Sequence, residues 1–296
     1  MPILLAFACA VVYGVADYCG GRASRSATST AVSLVGQATS LVLVLAVVFV
    51  MGTAVPSWHD WAWGGAAGVA TAVALGAFYH ALSHGAMTVV APITAVTSAA
   101  IPVAVGLVSG ERPGALALVG MALAVVAVSL VSGAVGERHT ATPPVTLMLA
   151  FVAGAGFAII FVTLDRTSHD SGMWPLVSAR IVSVALVGAF VLAVCRRSRA
   201  ARDGSEPRAR ETVGPSISVW RLAMLAGALD MTANVFYVLA VRRGLLSVVV
   251  VVAAMYPVST VCLAFGLDRE RVSRSQALGM GLAVGALVLI SLAQTA

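Results

Sequence analysis

Ten predominantly apolar stretches, each close to twenty residues long, constrain this chain more than any other feature. They run roughly over 3–20, 30–51, 62–82, 87–108, 115–135, 145–164, 175–195, 219–241, 245–266 and 275–293. A helix rises about 1.5 Å per residue, so about 20 residues cross the roughly 30 Å hydrocarbon core of a bilayer. Backbone in lipid must satisfy its own polar groups, which leaves helices and closed barrels as the spanning structures. A barrel would show strands of about ten residues alternating apolar and polar, and no such pattern occurs here. Composition agrees, because 60% of the 296 residues are hydrophobic and only 10% are charged. Soluble domains carry about 25% charged residues. A cytosolic enzyme, a disordered chain and a secreted disulfide scaffold are excluded. The sequence predicts an all-α integral membrane protein.

The charges mark the loops. All 18 basic residues are arginine, and the formal net charge is +6. Arg196, Arg197, Arg199, Arg202, Arg208 and Arg210 crowd the segment 196–218, whose Gly, Pro and Ser content reads as a linker beside anionic headgroups. No aromatic residues interleave with them as a base-stacking surface requires, so no nucleic-acid partner is expected. Twelve arginines fall on the loops of one face and four on the other. The positive-inside rule then puts both termini outside.

Cys9, Cys19, Cys195 and Cys262 form no CxxC pair, which points to neither a metal site nor a disulfide framework. No GxxxxGK[ST] loop is present to couple transport to ATP directly. No zinc or Ser/His/Asp constellation stands out, and no cofactor is expected. Met1-Pro2-Ile3 lacks a basic region ahead of its apolar run, so it reads as the first span and not as a cleaved signal.

The linker divides ten spans into five and five, and the two halves are related. A shift of 159 residues places Trp61 on Trp220, Gly68 on Gly227, Gly85 on Gly244 and Glu111 on Glu270 without gaps. From Glu111 to Ser132 against Glu270 to Ser291, ten of 22 positions are identical. An odd number of spans per unit forces the second unit to enter from the opposite face. The expected architecture is therefore ten transmembrane helices as two inverted five-helix repeats, the plan by which secondary transporters build two alternating states. The first repeat is read as 1–138 and the second as 139–296, with the long loop 196–218 inside it.

Ionisable groups within the spans are the first site candidates, since each costs at least about 2.5–3.5 kcal/mol at a helix centre. Asp17 lies in span one. Asp230 lies near the middle of span eight, and with Asn234 and Tyr237 it makes an i, i+4, i+7 polar stripe that should face a cavity. Such an acid can exchange a proton or bind a cationic solute, or it can hold helices together through a hydrogen bond. Asp17 can also pair with Arg22. Arg180 in span seven either snorkels to the nearer interface or meets a substrate carboxylate. His80 and His84, four apart at the end of span three, suit a proton relay or an interfacial position. They lack the third ligand that a metal would need. Pro92 and Pro102 in span four and Pro257 in span nine each remove a backbone hydrogen bond and should kink their helices.

The ten-span layout, Tyr13-Gly14 in span one, and Gly110-Glu111-Arg112 followed by Gly120 resemble the drug/metabolite transporter superfamily in its EamA-like branch. Asp268-Arg269-Glu270-Arg271 followed by Gly279 repeats the motif. The family often has Trp where this chain has Tyr13, and Lys near the end of the span, where this chain offers Asp17 and Arg22. The resemblance implies a midplane site contacted by spans one, three, four, six, eight and nine. It also implies cavity roles for Tyr13 and Tyr256, hinge roles for Pro92, Pro102 and Pro257, and both termini in the cytoplasm, against the arginine count.

The expected function is secondary active transport, as an exporter, of a small metabolite or drug-like solute by alternating access, with protons as the coupling ion. Asp230 and Asn234 come first as binding or coupling residues, then Asp17, Tyr13, Tyr256, Tyr237 and His80. The partners are the solute and the lipid of a cell membrane that the chain crosses many times, as monomer or homodimer. Two other readings stay open. An intramembrane enzyme acting on lipid would show acids or histidines clustered at one membrane face. A non-transporting membrane scaffold would lack a solvent-filled cavity.

Overall fold

The computed structural model describes residues 1–24, 26–52, 55–84, 87–131, 143–202, 216–268 and 273–293. Each span read from the sequence is helical over its described residues, the ninth with a break. In order these are α1 (Pro2–Ser24), α2 (Ser29–Met51), α3 (Trp58–His84), α4 (Met87–Val108), α5 (Ala115–Val131), α6 (Pro144–Asp165), α7 (Trp174–Arg202) and α8 (Ile217–Val241). There follow α9 (Leu246–Ala253), α10 (Tyr256–Asp268) and α11 (Arg274–Ala293). Eight of these segments are 20–25 residues long and apolar enough to cross a bilayer. The shorter apolar helices Ile93–Val108 and Ala115–Val131 complete the ten spans.

The ninth span departs from the expected continuous helix over 245–266. It is broken into α9 and α10 at Ala254 and Met255. The cause is close by: Pro257 has no N–H to give to the carbonyl of Ala253 and so cannot continue the ladder. Pro102, by contrast, is accommodated within a continuous α4, where it is buried. Pro92 lies on the same helix, but its side chain is outside the described residues.

In lipid nothing drives large apolar side chains inward, so packing selects small ones that let backbones approach. Ala6, Ala67, Ala74, Ala127, Ala153, Ala223, Ala233 and Ala286 are completely buried, whereas Val42, Phe49, Val50, Phe190, Leu278 and Val284 point outward. The packing is mirrored between the halves. Helix α1 packs on α8 as α6 packs on α3, and α2 packs on α8 as α7 packs on α3. Likewise α4 meets α6 as α9 and α10 meet α1, while α2 with α7, α4 with α9, and α5 with α11 pair across the axis. Helices α3, α4 and α5 start 159 residues before α8, α9 and α11 respectively.

Individual glycines obey the same mirror. A Cβ on Gly120 would press on Ile290 and the backbone of Ala286, and one on the repeat-related Gly279 would press on Leu130 and the backbone of Ala127. Gly64 and Gly68 of α3 lie against Pro175 and Ala179 of α7, and Gly227 of α8 lies against Gly36 of α2. These small-residue pairs therefore serve internal packing. The two inverted repeats are one interlocked body, with the valine-rich α9 buried along its whole length.

Candidate functional site

Where α2, α7 and α8 meet, the small-residue crossings bring polar groups together inside the apolar bundle. Arg180 of α7 is buried, and its Nη2 donates to Oδ2 of Asp230 on α8. Its Nη1 donates to Oε1 of Gln37 on α2 at 3.1 Å. Ser183, one turn along α7, donates to the same Gln37 oxygen at 2.6 Å. Ser40 of α2 donates to the carbonyl of Gly227 at 2.6 Å and lies 3.4 Å from Asp230 Oδ2. Gln37 Nε2 is buried with no hydrogen-bond partner. The cluster joins the first repeat, through Gln37 and Ser40, to the second, through Arg180, Ser183 and Asp230.

This arrangement replaces the snorkelling expected of Arg180. The guanidinium turns inward because a carboxylate and an amide oxygen wait there, and each bond to a charged group is worth about 1.5–3 kcal/mol. A paired charge also avoids most of the cost of standing alone in the membrane. Asp230 is less enclosed than its partner: 34% of its side chain is accessible, against 9% for Arg180. The pair thus has a buried positive end and an open negative end.

Helices α1 and α10 pack against each other beside this pair. Gly14 lets these helices cross closely, with Ser259 Oγ donating to the carbonyl of Ala10 at 3.0 Å and Thr260 Oγ1 to that of Gly14 at 3.3 Å. The crossing sets Tyr13 against Tyr256, their ring centroids 6.3 Å apart and inclined at 63°. Asp17, one turn further along α1, is exposed. Its carboxylate is close enough to interact electrostatically with Asp230 and with Tyr256. Tyr13 interacts in the same way with Asp230 and Arg180. Four of the residues read from the sequence, Asp17, Asp230, Tyr13 and Tyr256, are therefore brought together from three helices. Arg22 donates to the hydroxyl of Tyr18 at 3.0 Å, and among the described residues no ion pair joins it to Asp17.

The rest of the predicted stripe is used differently. Asn234 is buried and donates from Nδ2 to the carbonyl of Asp230 at 2.8 Å, within its own helix. Tyr237 is fully buried, its hydroxyl donating to the carbonyl of Phe161 on α6 at 2.9 Å and its ring 4.7 Å from that of Phe161. His80 lies on α3, but its side chain is outside the described residues. No group of His, Cys, Asp and Glu able to hold a metal occurs among the described residues.

The end of the bundle that carries the termini holds a polar layer that the sequence did not reveal. Glu111, after α4, accepts from the backbone N–H groups of Leu246 and Ser247 at the start of α9, at 2.6 and 3.0 Å. Asp60 accepts from the N–H and hydroxyl of Ser168 at 2.7 and 2.9 Å. Arg242 donates to the carbonyl of Ser168 and the hydroxyl of Ser171 at 3.0 and 2.9 Å. Desolvation holds the Arg242 guanidinium below the usual arginine range, against the pull of Asp60 and Asp170. The layer joins the two repeats at this end.

The sequence profile of one family matches the chain twice, over residues 1–133 and again over 144–292. The chain belongs to the EamA-like transporter family. It is a multi-pass membrane protein and, as a member of that family, a transporter of small solutes. The expected kinship with the drug/metabolite transporter superfamily holds, and the double match fits the repeat read from the sequence. The EamA-like fold is seen again in a solved structure described as "Crystal structure of protein", which aligns with TM-score 0.74 over 98% of this chain and 96% of that one. Sequence identity there is 15%, so the likeness shows the fold alone. No curated protein matches the chain.

Proposed function

We propose that this EamA-like protein is a proton-driven exporter of a small metabolite or drug-like solute, working by alternating access in the cytoplasmic membrane. The observation that carries the reading is the Arg180–Asp230 pair. It sits in the polar cluster that links the two repeats, and its acid end is 34% accessible. Alternating access requires the repeats to move against each other. The pair itself lies within the second repeat, and Gln37 and Ser40 of the first repeat hold its two members, so a proton that breaks it loosens the polar cluster joining the repeats. A proton arriving at Asp230 neutralises the carboxylate and releases Arg180. The guanidinium then keeps Gln37 as its remaining partner, and the hold of α7 on α8 weakens. Asp17 and the Tyr13–Tyr256 pair line the approach to Asp230 and are the first candidates for solute contact. On this reading the polar layer around Glu111, Asp60 and Arg242 closes the end bearing the termini.

The test uses purified protein in liposomes with an imposed pH gradient, after an export screen of cells overproducing the chain has supplied a solute. Asp230→Asn should abolish gradient-driven transport while solute counterflow without a gradient persists. Gradient-driven transport by Asp230→Asn at the wild-type rate would overturn the coupling role.

A further inference from the structure

One acid in the interior is matched and the other is not. Asp230 has Arg180 as its counter-ion. Asp17 has no ion-pair or hydrogen-bond partner among the described residues, although it stands within a span and within electrostatic reach of Asp230. A carboxylate within a span faces the bundle interior or a water-filled cavity and takes a partner there, and the described residues leave Asp17 without one. With both acids ionised, Asp17, Asp230 and Arg180 together carry one net negative charge, which a solute of net positive charge neutralises. The neighbouring walls suit the same chemistry. Tyr13 and Tyr256 stand edge to face, 6.3 Å between centroids, and a ring face attracts a cation placed within about 6 Å of it.

The opposite choice, an anionic solute on Arg180, is disfavoured by geometry. Arg180 is 9% exposed, and its two terminal nitrogens are already engaged by Asp230 and Gln37. Beside the pair, Gln37 Nε2 is buried and lacks an acceptor. Gln37 itself is 5% exposed, so this donor stays within the Arg180 cluster.

Resting on the transporter reading above, we propose that the solute is a small organic amine that binds as its cation. Its ammonium sits on Asp17 beside the Tyr13–Tyr256 pair. Asp230 remains with Arg180 for coupling, so the two acids divide the work.

Three probes that share one ring separate charge from shape: tyramine (cation), tyrosol (neutral) and 4-hydroxyphenylacetate (anion). Binding of each to the purified full chain in detergent is measured first. Tyramine should bind at least ten-fold more tightly than the other two. Asp17→Asn should weaken tyramine by ten-fold or more, and Asp17→Glu should stay within a few-fold of wild type. Absent tyramine binding, equal tyrosol binding, an anion preference, or unchanged affinity in Asp17→Asn would each overturn the proposal. If Asp17→Asn does not fold, the probe ranking on the native chain and the Asp17→Glu result decide. Liposome counterflow with the same probes separates this inference from the reading it rests on. Tyramine that binds but never exchanges across the bilayer would sink transport and leave the cation site. Exchange of all three probes without charge preference would sink the cation site and leave transport.

Discussion

Glu111 holds the start of α9 from 135 residues away, its carboxylate taking the backbone N–H of Leu246 at 2.6 Å and that of Ser247 at 3.0 Å. The first N–H groups of a helix have no partner within it, and the helix dipole favours negative charge there. Glu111 therefore ties a loop of the first repeat to the half-helix of the second. Because α9 ends at the break before Tyr256, the contact fixes one end of a short rigid rod whose other end adjoins the candidate site.

Glu111→Gln keeps the side-chain length but removes the charge and one accepting oxygen. Bonds to charged groups contribute about 1.5–3 kcal/mol, so the closed arrangement should lose ten-fold or more in population. The readout is labelling of Ser247→Cys, a fully buried position, in a background without native cysteines. A water-soluble thiol reagent should react at least ten-fold faster when Glu111 is replaced. Equal rates would show that the contact does not hold that mouth shut.

Arg180 and Asp230 should prove strongly coupled. Removing one member of a fully buried pair strands the other charge and costs about 3–5 kcal/mol, less where one end is accessible as Asp230 is, whereas removing both leaves no stranded charge. Arg180→Gln and Asp230→Asn should each lower the detergent unfolding midpoint clearly, and the double variant should fall less than their sum. Additive losses in this double-mutant cycle would mean that the pair is not an energetic unit.

The different fates of Arg180 and Glu111 show what the sequence could and could not say. The spans were legible because lipid demands about twenty apolar residues per helix, and the repeat because Gly120 and Gly279 occupy the same packing position in each half. Asp17 and Asp230 were legible as candidates because charge in a membrane is rare. Rotation about each helix axis was not. Most faces of these helices are apolar, so no stripe orients Arg180 toward Asp230, 50 residues away. Glu111 read only as part of a repeated motif at the end of span four, since nothing local reveals that the start of α9 folds back onto it. The break in span nine had a signal, Pro257, but a proline also fits a continuous helix, as Pro102 in α4 shows.

Tyr237 separates a solute contact from an internal brace. Its hydroxyl is spent on the Phe161 carbonyl inside the protein. Tyr237→Phe should therefore cost about 1 kcal/mol of stability, through the lost hydrogen bond, and leave solute affinity unchanged. A large loss of affinity with unchanged stability would place the hydroxyl in the solute path.

Two glycines of similar helical setting should respond oppositely to alanine. A Cβ on Gly227 would run into the backbone of Gly36, where α8 crosses α2 one turn from Asp230, whereas nothing lies within 4 Å of a Cβ on Gly76. Backbone cannot yield as a flexible side chain can, so Gly227→Ala forces the helices apart, and overpacking of this kind costs about 1–3 kcal/mol. The separation also stretches the Ser40 bond to the Gly227 carbonyl and draws Gln37 away from Arg180, so transport should fall along with stability. Gly76→Ala meets open space and gains up to about 1 kcal/mol of helix propensity. Unfolding midpoints and counterflow rates of the two variants, measured side by side, check the contrast. Equal stability in both would mean that the α2–α8 crossing is looser than its geometry indicates.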